Sequence, residues 1–223
     1  MTLLLSLRSE FRKTKRTASW PFALLAAAFV PVLFLLSGAG TDGINPDTIK
    51  DPWGEFFNKG FMVFGGAVLP LFIILCGTLL PQVEYRNDTW KQVRITPQSP
   101  ALLFTAKYTQ YLLLLLLVQV TFNLLMFAAA GILHWRQPLF GFGAHPLDWM
   151  HWLGLNSRLS VAILGLSSMH FWLGLRARNF LLPVGVGLAL WFMSLYVLFE
   201  GNSALTNYLP QAYPMISVLK VPA

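Results

Sequence analysis

Five long apolar runs constrain this chain more than any other feature of its sequence. A helix needs about 20 predominantly apolar residues to cross the hydrocarbon of a bilayer, so each run predicts a membrane-spanning helix. Charged residues make up only 11% of the chain, against about 25% in a soluble domain. The sequence therefore predicts an all-α, polytopic membrane helix bundle, a single domain over residues 1–223. The predicted spans cover residues 20–38, 61–80, 108–133, 155–173 and 180–199.

The distribution of basic residues predicts the orientation of the bundle. Such residues mark the cytoplasmic flanks of membrane spans, and this accounts for the net charge of +7 without nucleic-acid binding. We therefore expect the N-terminus and the loop after the second span to be cytoplasmic. One side of the predicted spans carries Arg8, Arg12, Lys13, Lys15, Arg16, Arg86, Lys91, Arg94, Lys107, Arg176 and Arg178, and the other carries Lys50, Lys59, Arg136, Arg158 and Lys220.

The N-terminal segment has the pattern of a helix that lies in the membrane interface. Leu4, Leu7 and Phe11 recur at helical spacing, and the basic residues fall largely on another face. We expect this interfacial helix within residues 1–19. Two interpretations stay open, a scaffold beside a docking site and a simple positively charged anchor. The basic cluster follows the first apolar residues, an order that does not predict a signal peptide.

The loop after the second span is dense in charge and contains a tryptophan. Trp90, Val93 and Arg94 are spaced to share one face of a short helix. Pro97 and Pro100 would end that helix, because proline cannot continue its hydrogen bonds. Trp90 would then either dock onto a cytoplasmic protein or belong to the aromatic belt of the membrane interface.

Four polar residues within the predicted spans are candidates for a translocation path. Gln119 and Asn123 lie four residues apart on one helix face, where amides either join helices or line a path. His170 is an ionisable residue inside the fourth span, either a substrate or proton contact or a satisfied interhelical histidine. Arg158 would either snorkel to the outer interface or contact an acidic substrate or lipid head group.

Catalytic chemistry is not indicated by the residues of this chain. The sequence has no Gly-x-x-x-x-Gly-Lys-Ser/Thr phosphate loop. Its four histidines form no metal-ligand pair at the usual spacing, and its one cysteine, Cys76, has no companion ligand. We therefore predict a protein that is not an enzyme, binds no metal and holds no cofactor directly.

Several motifs of the chain resemble the permease subunits of type-2 ATP-binding-cassette (ABC) transporters. The pattern Glu84-x-Arg86-x-x-Thr89-Trp90-Lys91, then Pro97-x-Ser99 and Lys107, is similar to that family, and most similar to the lantibiotic and bacitracin protection permeases. The N-terminal residues 9–13, and residues 171–180 with the following Pro183-x-Gly185-x-Gly187, are also similar. The resemblance covers most of the chain.

This resemblance implies a cytoplasmic coupling helix over residues 84–96, inserted into a cleft of a separate ABC ATPase subunit. It also implies an interfacial N-terminal helix, a second permease subunit (the same chain or a different one), and contact with membrane lipid. ATP and Mg²⁺ would act through the partner ATPase. The implied coupling residues are Glu84, Arg86, Thr89, Trp90, Lys91, Val93 and Arg94, and the interfacial helix would include Glu10, Phe11, Arg12 and Lys13.

The function implied is ATP-driven export or extrusion of a peptide antibiotic, a lipid or another amphiphile across a bacterial inner (plasma) membrane, with a role in antimicrobial peptide resistance. The alternative is a non-transporting scaffold or sensor subunit that docks a cytoplasmic partner. Six spans are expected in the family, and five are predicted here. Residues 207–214 are similar to the outer segment before the family's sixth span, whereas the stretch 200–223 is short and interrupted by prolines.

Overall fold

The computed structural model describes residues 3–15, 17–37, 51–86, 99–136, 138–200, 203–206 and 208–219. Its regular elements are helical throughout these ranges, as the sequence predicts. A π-helical turn, Phe64–Val68, joins α3 to α4, and two short 3₁₀ turns occupy Pro138–Phe140 and Pro210–Ala212. The α-helices are α1 (Leu3–Thr14), α2 (Ser19–Ser37), α3 (Pro52–Val63), α4 (Leu69–Arg86), α5 (Pro100–Arg136), α6 (Trp149–Arg176), α7 (Leu181–Phe199), α8 (Ser203–Thr206) and α9 (Tyr213–Leu219).

Five helical stretches are long and apolar enough to cross a membrane, which confirms the five predicted spans. The second span begins at Pro52, well before the apolar run near residue 61. Asp51 caps this helix by accepting a hydrogen bond from the Gly54 backbone N–H, and Pro52 suits the first helical position. The spans are Ser19–Ser37, Pro52–Tyr85, Pro100–Arg136, Trp149–Arg176 and Leu181–Phe199.

Aromatic, aliphatic and small residues fill the interior between the spans. Phe64 and Phe122 stack with ring centroids 3.9 Å apart, joining the second span to α5. Gly174 of α6 lies directly against the backbone of α4 at Gly77. In lipid, apolar burial gives no driving force between helices, so close packing of this kind holds the bundle together. Large exposed leucines on α2 and α5 face outward, as expected for a surface in contact with lipid chains.

The segment after α7 folds back onto the bundle at the π-helical turn. Helix α7 itself also contacts this turn, since its Trp191 indole donates a hydrogen bond to the Gly66 carbonyl at 2.9 Å. A Cβ on Gly66 would lie 2.9 Å from the Met215 sulfur, so the absence of a side chain there lets α9 approach. The described helices of this segment, α8 and α9, have four and seven residues and are too short to cross a bilayer.

The N-terminal helix α1 packs one face against α5. Ser6, Glu10 and Thr14, each one turn from the next, are buried on this face. Gln110 of α5 donates a hydrogen bond from its amide to the Thr14 hydroxyl at 2.5 Å. Leu3, Leu4 and Leu5 are exposed. The predicted helix is present, and its location in the membrane interface stays a prediction.

Candidate functional site

Four charged side chains meet at the end of the bundle where α4 ends and α5 begins. The Lys107 ammonium contacts Glu84 Oε1 and lies 2.5 Å from Glu10 Oε2. The Lys13 ammonium lies 2.6 Å from Glu10 Oε1 and 3.4 Å from Glu84 Oε1. We call these four residues the charge cluster. Two lysines and two glutamates balance its formal charge.

Burial makes the pairing within the charge cluster important. The side chains of Glu10, Glu84 and Lys107 are 3%, 2% and 7% exposed, whereas that of Lys13 is 36% exposed. Charges withdrawn from water are tolerated when they are paired and hydrogen-bonded. Burial lowers the pKa of Lys13, but the hydrogen bond and charge of Glu10, with those of Glu84, outweigh burial and raise that pKa above its ordinary value. Lys13 is therefore charged at neutral pH.

The charge cluster lies at the base of the predicted coupling segment. Glu84 is in the last turn of α4, and Lys107 is two turns into α5. Their contact therefore joins the two helices on either side of the segment that connects them. Glu10 joins from α1, 97 residues away from Lys107 in sequence. The same charge cluster therefore joins α1 to both α4 and α5.

The predicted coupling residues fall into two groups. Glu84 is buried within the charge cluster, and Arg86 is the last residue of α4, so the first three residues of the predicted coupling helix belong to α4. Glu84 is only 1% exposed, and its carboxylate accepts hydrogen bonds from Lys13 and Lys107 of the same chain. The other five residues, Thr89, Trp90, Lys91, Val93 and Arg94, lie outside the described residues, and their role stays a prediction.

The predicted interfacial residues of α1 divide between two faces. Glu10 and Lys13 belong to the charge cluster. Phe11 and Arg12 lie on another side of the helix, beside Trp20 at the start of α2. The sequence pattern correctly predicts an amphipathic helix, but it does not show that two of these residues reach α4 and α5.

Gln119 and Asn123 meet Asn156 between α5 and α6. The Asn123 amide donates to Asn156 Oδ1 at 2.8 Å, and the Gln119 amide donates to the same oxygen at 3.1 Å. Trp152 donates its indole N–H to Asn123 Oδ1 at 2.9 Å, and the Ser160 hydroxyl donates to Gln119 Oε1 at 3.1 Å. These groups border a groove of about 400 Å³. The amide network joins the two helices. This agrees with the first interpretation of Gln119 and Asn123, in which the amides join helices.

His170 and Arg158 lie apart from this network. His170 is fully buried, and its Nε2 lies 2.7 Å from the side-chain nitrogen of Gln211, in the 3₁₀ turn before α9. Arg158 is exposed on α6, without an ion pair among the described residues. The four candidate path residues therefore occupy three separate places in the described structure.

Asn156→Leu is expected to lower the free energy of unfolding by about 1 kcal/mol, because it leaves the amides of Gln119 and Asn123 without their shared acceptor. Reversible unfolding in mixed detergent micelles measures the difference. Ser157→Ala is the matched control on the same helix, since the Ser157 hydroxyl is exposed and donates a hydrogen bond to the Gly154 carbonyl one turn back. Equal stability of the two variants would contradict the role of the network in joining the helices.

A bundle of five candidate spans, with paired charges buried at one end, defines a multi-pass membrane protein. Residues 6–194 match the family model described as ABC-2 family transporter protein, so the chain belongs to that family. It is a membrane component of an ABC transporter and has no ATPase site of its own, which implies an ATPase subunit as partner. Comparisons with curated proteins and with solved structures gave no match.

Proposed function

We propose that this chain is the permease of an export or extrusion transporter, in which a separate ATPase hydrolyses ATP. The observation that carries the coupling role is the contact between Glu84 and Lys107, which closes the base of segment 87–98. The transported substrate class is an amphiphile, a peptide antibiotic or a lipid, as in the lantibiotic and bacitracin protection branch. A second permease subunit completes the pathway, in a bacterial inner membrane with the N-terminus in the cytoplasm.

The charge cluster supports a mechanical role for segment 87–98. A force applied to this segment reaches α4 and α5 at their ends, where Glu84 and Lys107 are in contact. Lys107 also binds Glu10, so α1 moves with these two helices. Because buried paired charges are costly to separate, the three helix ends respond as one body. ATP and Mg²⁺ supply the energy at the partner ATPase.

Trp90→Ala is expected to weaken copurification of the ATPase about tenfold or more, because a central tryptophan commonly dominates the energy of an interface. The measurement compares ATPase recovered with equal amounts of tagged permease. Trp135→Ala is the control, since Trp135 is 84% exposed near the opposite end of α5. Unchanged ATPase recovery with Trp90→Ala would contradict the assignment of the coupling helix.

Reconstitution with the ATPase separates transport from the scaffold or sensor alternative. An exporter is expected to show ATP hydrolysis that increases when its amphiphilic substrate is added to the proteoliposomes. A scaffold that only holds a cytoplasmic partner retains binding of the ATPase but shows no such increase. Binding with substrate-independent hydrolysis, across a panel of peptide antibiotics and lipids, would therefore favour the alternative.

A further inference from the structure

Helix α1 and the residue that follows it carry three exposed cations that the charge cluster does not use. Arg8 and Arg12 lie in α1, and Lys15 comes directly after its last residue, at intervals of four and three residues. Within the described residues, the carboxylates near α1 are already paired with Lys13 and Lys107. The basic side of α1 is thus left without a protein counter-charge in the described structure.

These cations border a pocket together with two aromatic rings. The pocket has a volume of about 460 Å³ and is lined by Arg8, Phe11, Arg12, Lys15 and Trp20. The ring centroids of Phe11 and Trp20 are 6.2 Å apart, which gives the pocket an apolar wall. Trp20 is the second residue of α2, so the pocket lies where the first span begins. Tryptophan is typical of this level of a bilayer.

The composition of the pocket selects an anionic amphiphile. Guanidinium groups bind phosphate oxygens through paired hydrogen bonds, and a neighbouring ammonium adds charge. The aromatic wall suits the glycerol and upper acyl region of a lipid. Basic pockets beside membrane helices are known to hold acidic phospholipid head groups. Inorganic phosphate would match the cations but leave the aromatic wall unused.

We propose that this pocket, lined by Arg8, Phe11, Arg12, Lys15 and Trp20, binds the phosphate head group of an anionic phospholipid. The phosphate lies among the three cations, and the lipid chains extend past Phe11 and Trp20 into the membrane. Glu10 does not repel the phosphate, since its carboxylate is buried on another face of α1 and is bound to Lys107 and Lys13. This binding requires neither the ATPase nor a transport substrate.

The test measures lipid binding to the purified chain in a neutral detergent by native mass spectrometry. The probe is palmitoyl-oleoyl phosphatidylglycerol, compared with the phosphatidylcholine of the same chains. We expect the unmodified chain to bind phosphatidylglycerol about tenfold more tightly than phosphatidylcholine. Arg8→Gln combined with Arg12→Gln should weaken phosphatidylglycerol binding roughly thirtyfold, since each cation near the membrane surface contributes a factor of about five.

Matched variants separate a defined site from diffuse attraction. Arg176→Gln with Arg178→Gln removes the same charge from another basic segment and should leave binding unchanged. Arg8→Lys combined with Arg12→Lys should retain most of the phosphatidylglycerol binding. Equal elution and melting behaviour of the variants shows that they are folded. Unchanged binding by the Arg8 and Arg12 double variant, or equal loss in the Arg176 and Arg178 variant, would overturn the proposal.

A third arm distinguishes lipid from free phosphate. Trp20→Ala should weaken phosphatidylglycerol binding severalfold, because the chains lose one wall of the pocket. Inorganic phosphate should compete no better than potassium chloride at the same ionic strength. If phosphate displaces the lipid and Trp20→Ala has no effect, the pocket is an inorganic anion site and the lipid assignment is wrong.

Discussion

Lys107→Met is expected to lower the free energy of unfolding by about 3–5 kcal/mol, the usual cost of removing one partner from a buried ion pair. Lys107 is the buried cation that contacts both Glu10 and Glu84. Without it, two buried carboxylates share Lys13, which is partly exposed. The variant is therefore expected to unfold at a lower concentration of denaturing detergent and to lose ATP-driven transport.

The control for Lys107→Met removes the charge from all three buried members of the charge cluster. Glu10→Gln and Glu84→Gln, added to Lys107→Met, remove both carboxylate charges and should recover most of the lost stability. Measured transport should stay low in this triple variant, since the helix ends are no longer joined by ion pairs. A triple variant as unstable as the single one would show that the loss arises from packing around Lys107 and not from unpaired carboxylates.

Gly174→Ala is expected to destabilise the bundle by about 3 kcal/mol. A Cβ on Gly174 would meet the Gly77 carbonyl oxygen and lie 3.0 Å from the Thr78 Cα, and these are backbone atoms of α4 that cannot rotate away. The helices α4 and α6 would have to separate, with loss of their close packing. Reversible unfolding in mixed micelles measures the cost.

Gly165→Ala on the same helix is the matched control. A Cβ at Gly165 meets no atom within 4 Å. There, alanine should stabilise the helix by about 0.5 kcal/mol, because glycine loses more conformational freedom on folding. If both variants lose similar stability, the loss does not arise from contact with α4, and the role assigned to Gly174 in packing the two helices is wrong.

The apolar runs were sufficient to predict the all-helical fold class and the number of candidate membrane spans. Each run is long enough that its membrane-spanning character does not depend on a single residue. The ends of the helices were harder to predict, as the second span shows. Its first turns contain Glu55 and Lys59, and it begins at the cap formed by Asp51 and Pro52. A search for uninterrupted apolar sequence therefore places its start about two and a half turns late.

The contacts at the charge cluster could not be predicted from spacing. Glu10 and Lys107 are 97 residues apart, and Lys13 and Glu84 are 71 apart, so no helical periodicity connects them. A signal was nevertheless present, because acids are scarce on the basic side of the spans and Glu10 and Glu84 are two of them. A lone carboxylate among many cations near the end of a span is a candidate for burial in an ion pair.

The glycines that pack against neighbouring helices cannot be told apart by sequence alone. Gly77 and Gly187 lie in apolar runs and pack against neighbouring helices. A Cβ on Gly185 would meet no atom within 4 Å, whereas Gly174, next to the basic turn, lies directly against the backbone of α4. The face on which a glycine lies depends on how the helices are rotated, and this is decided by tertiary packing.

Lys107 pairs with two carboxylates at once, and this constrains which substitutions the sequence can accept over evolutionary time. Loss of Glu10 or of Glu84 alone changes the charge balance of a buried site by one unit, and loss of Lys107 alone changes it by one unit in the opposite direction. Accepted substitutions are therefore expected to arrive together, as exchanges of opposite sign or as joint replacement by apolar residues. Positions 10, 84 and 107 should consequently covary among relatives of this chain, although they belong to three different helices.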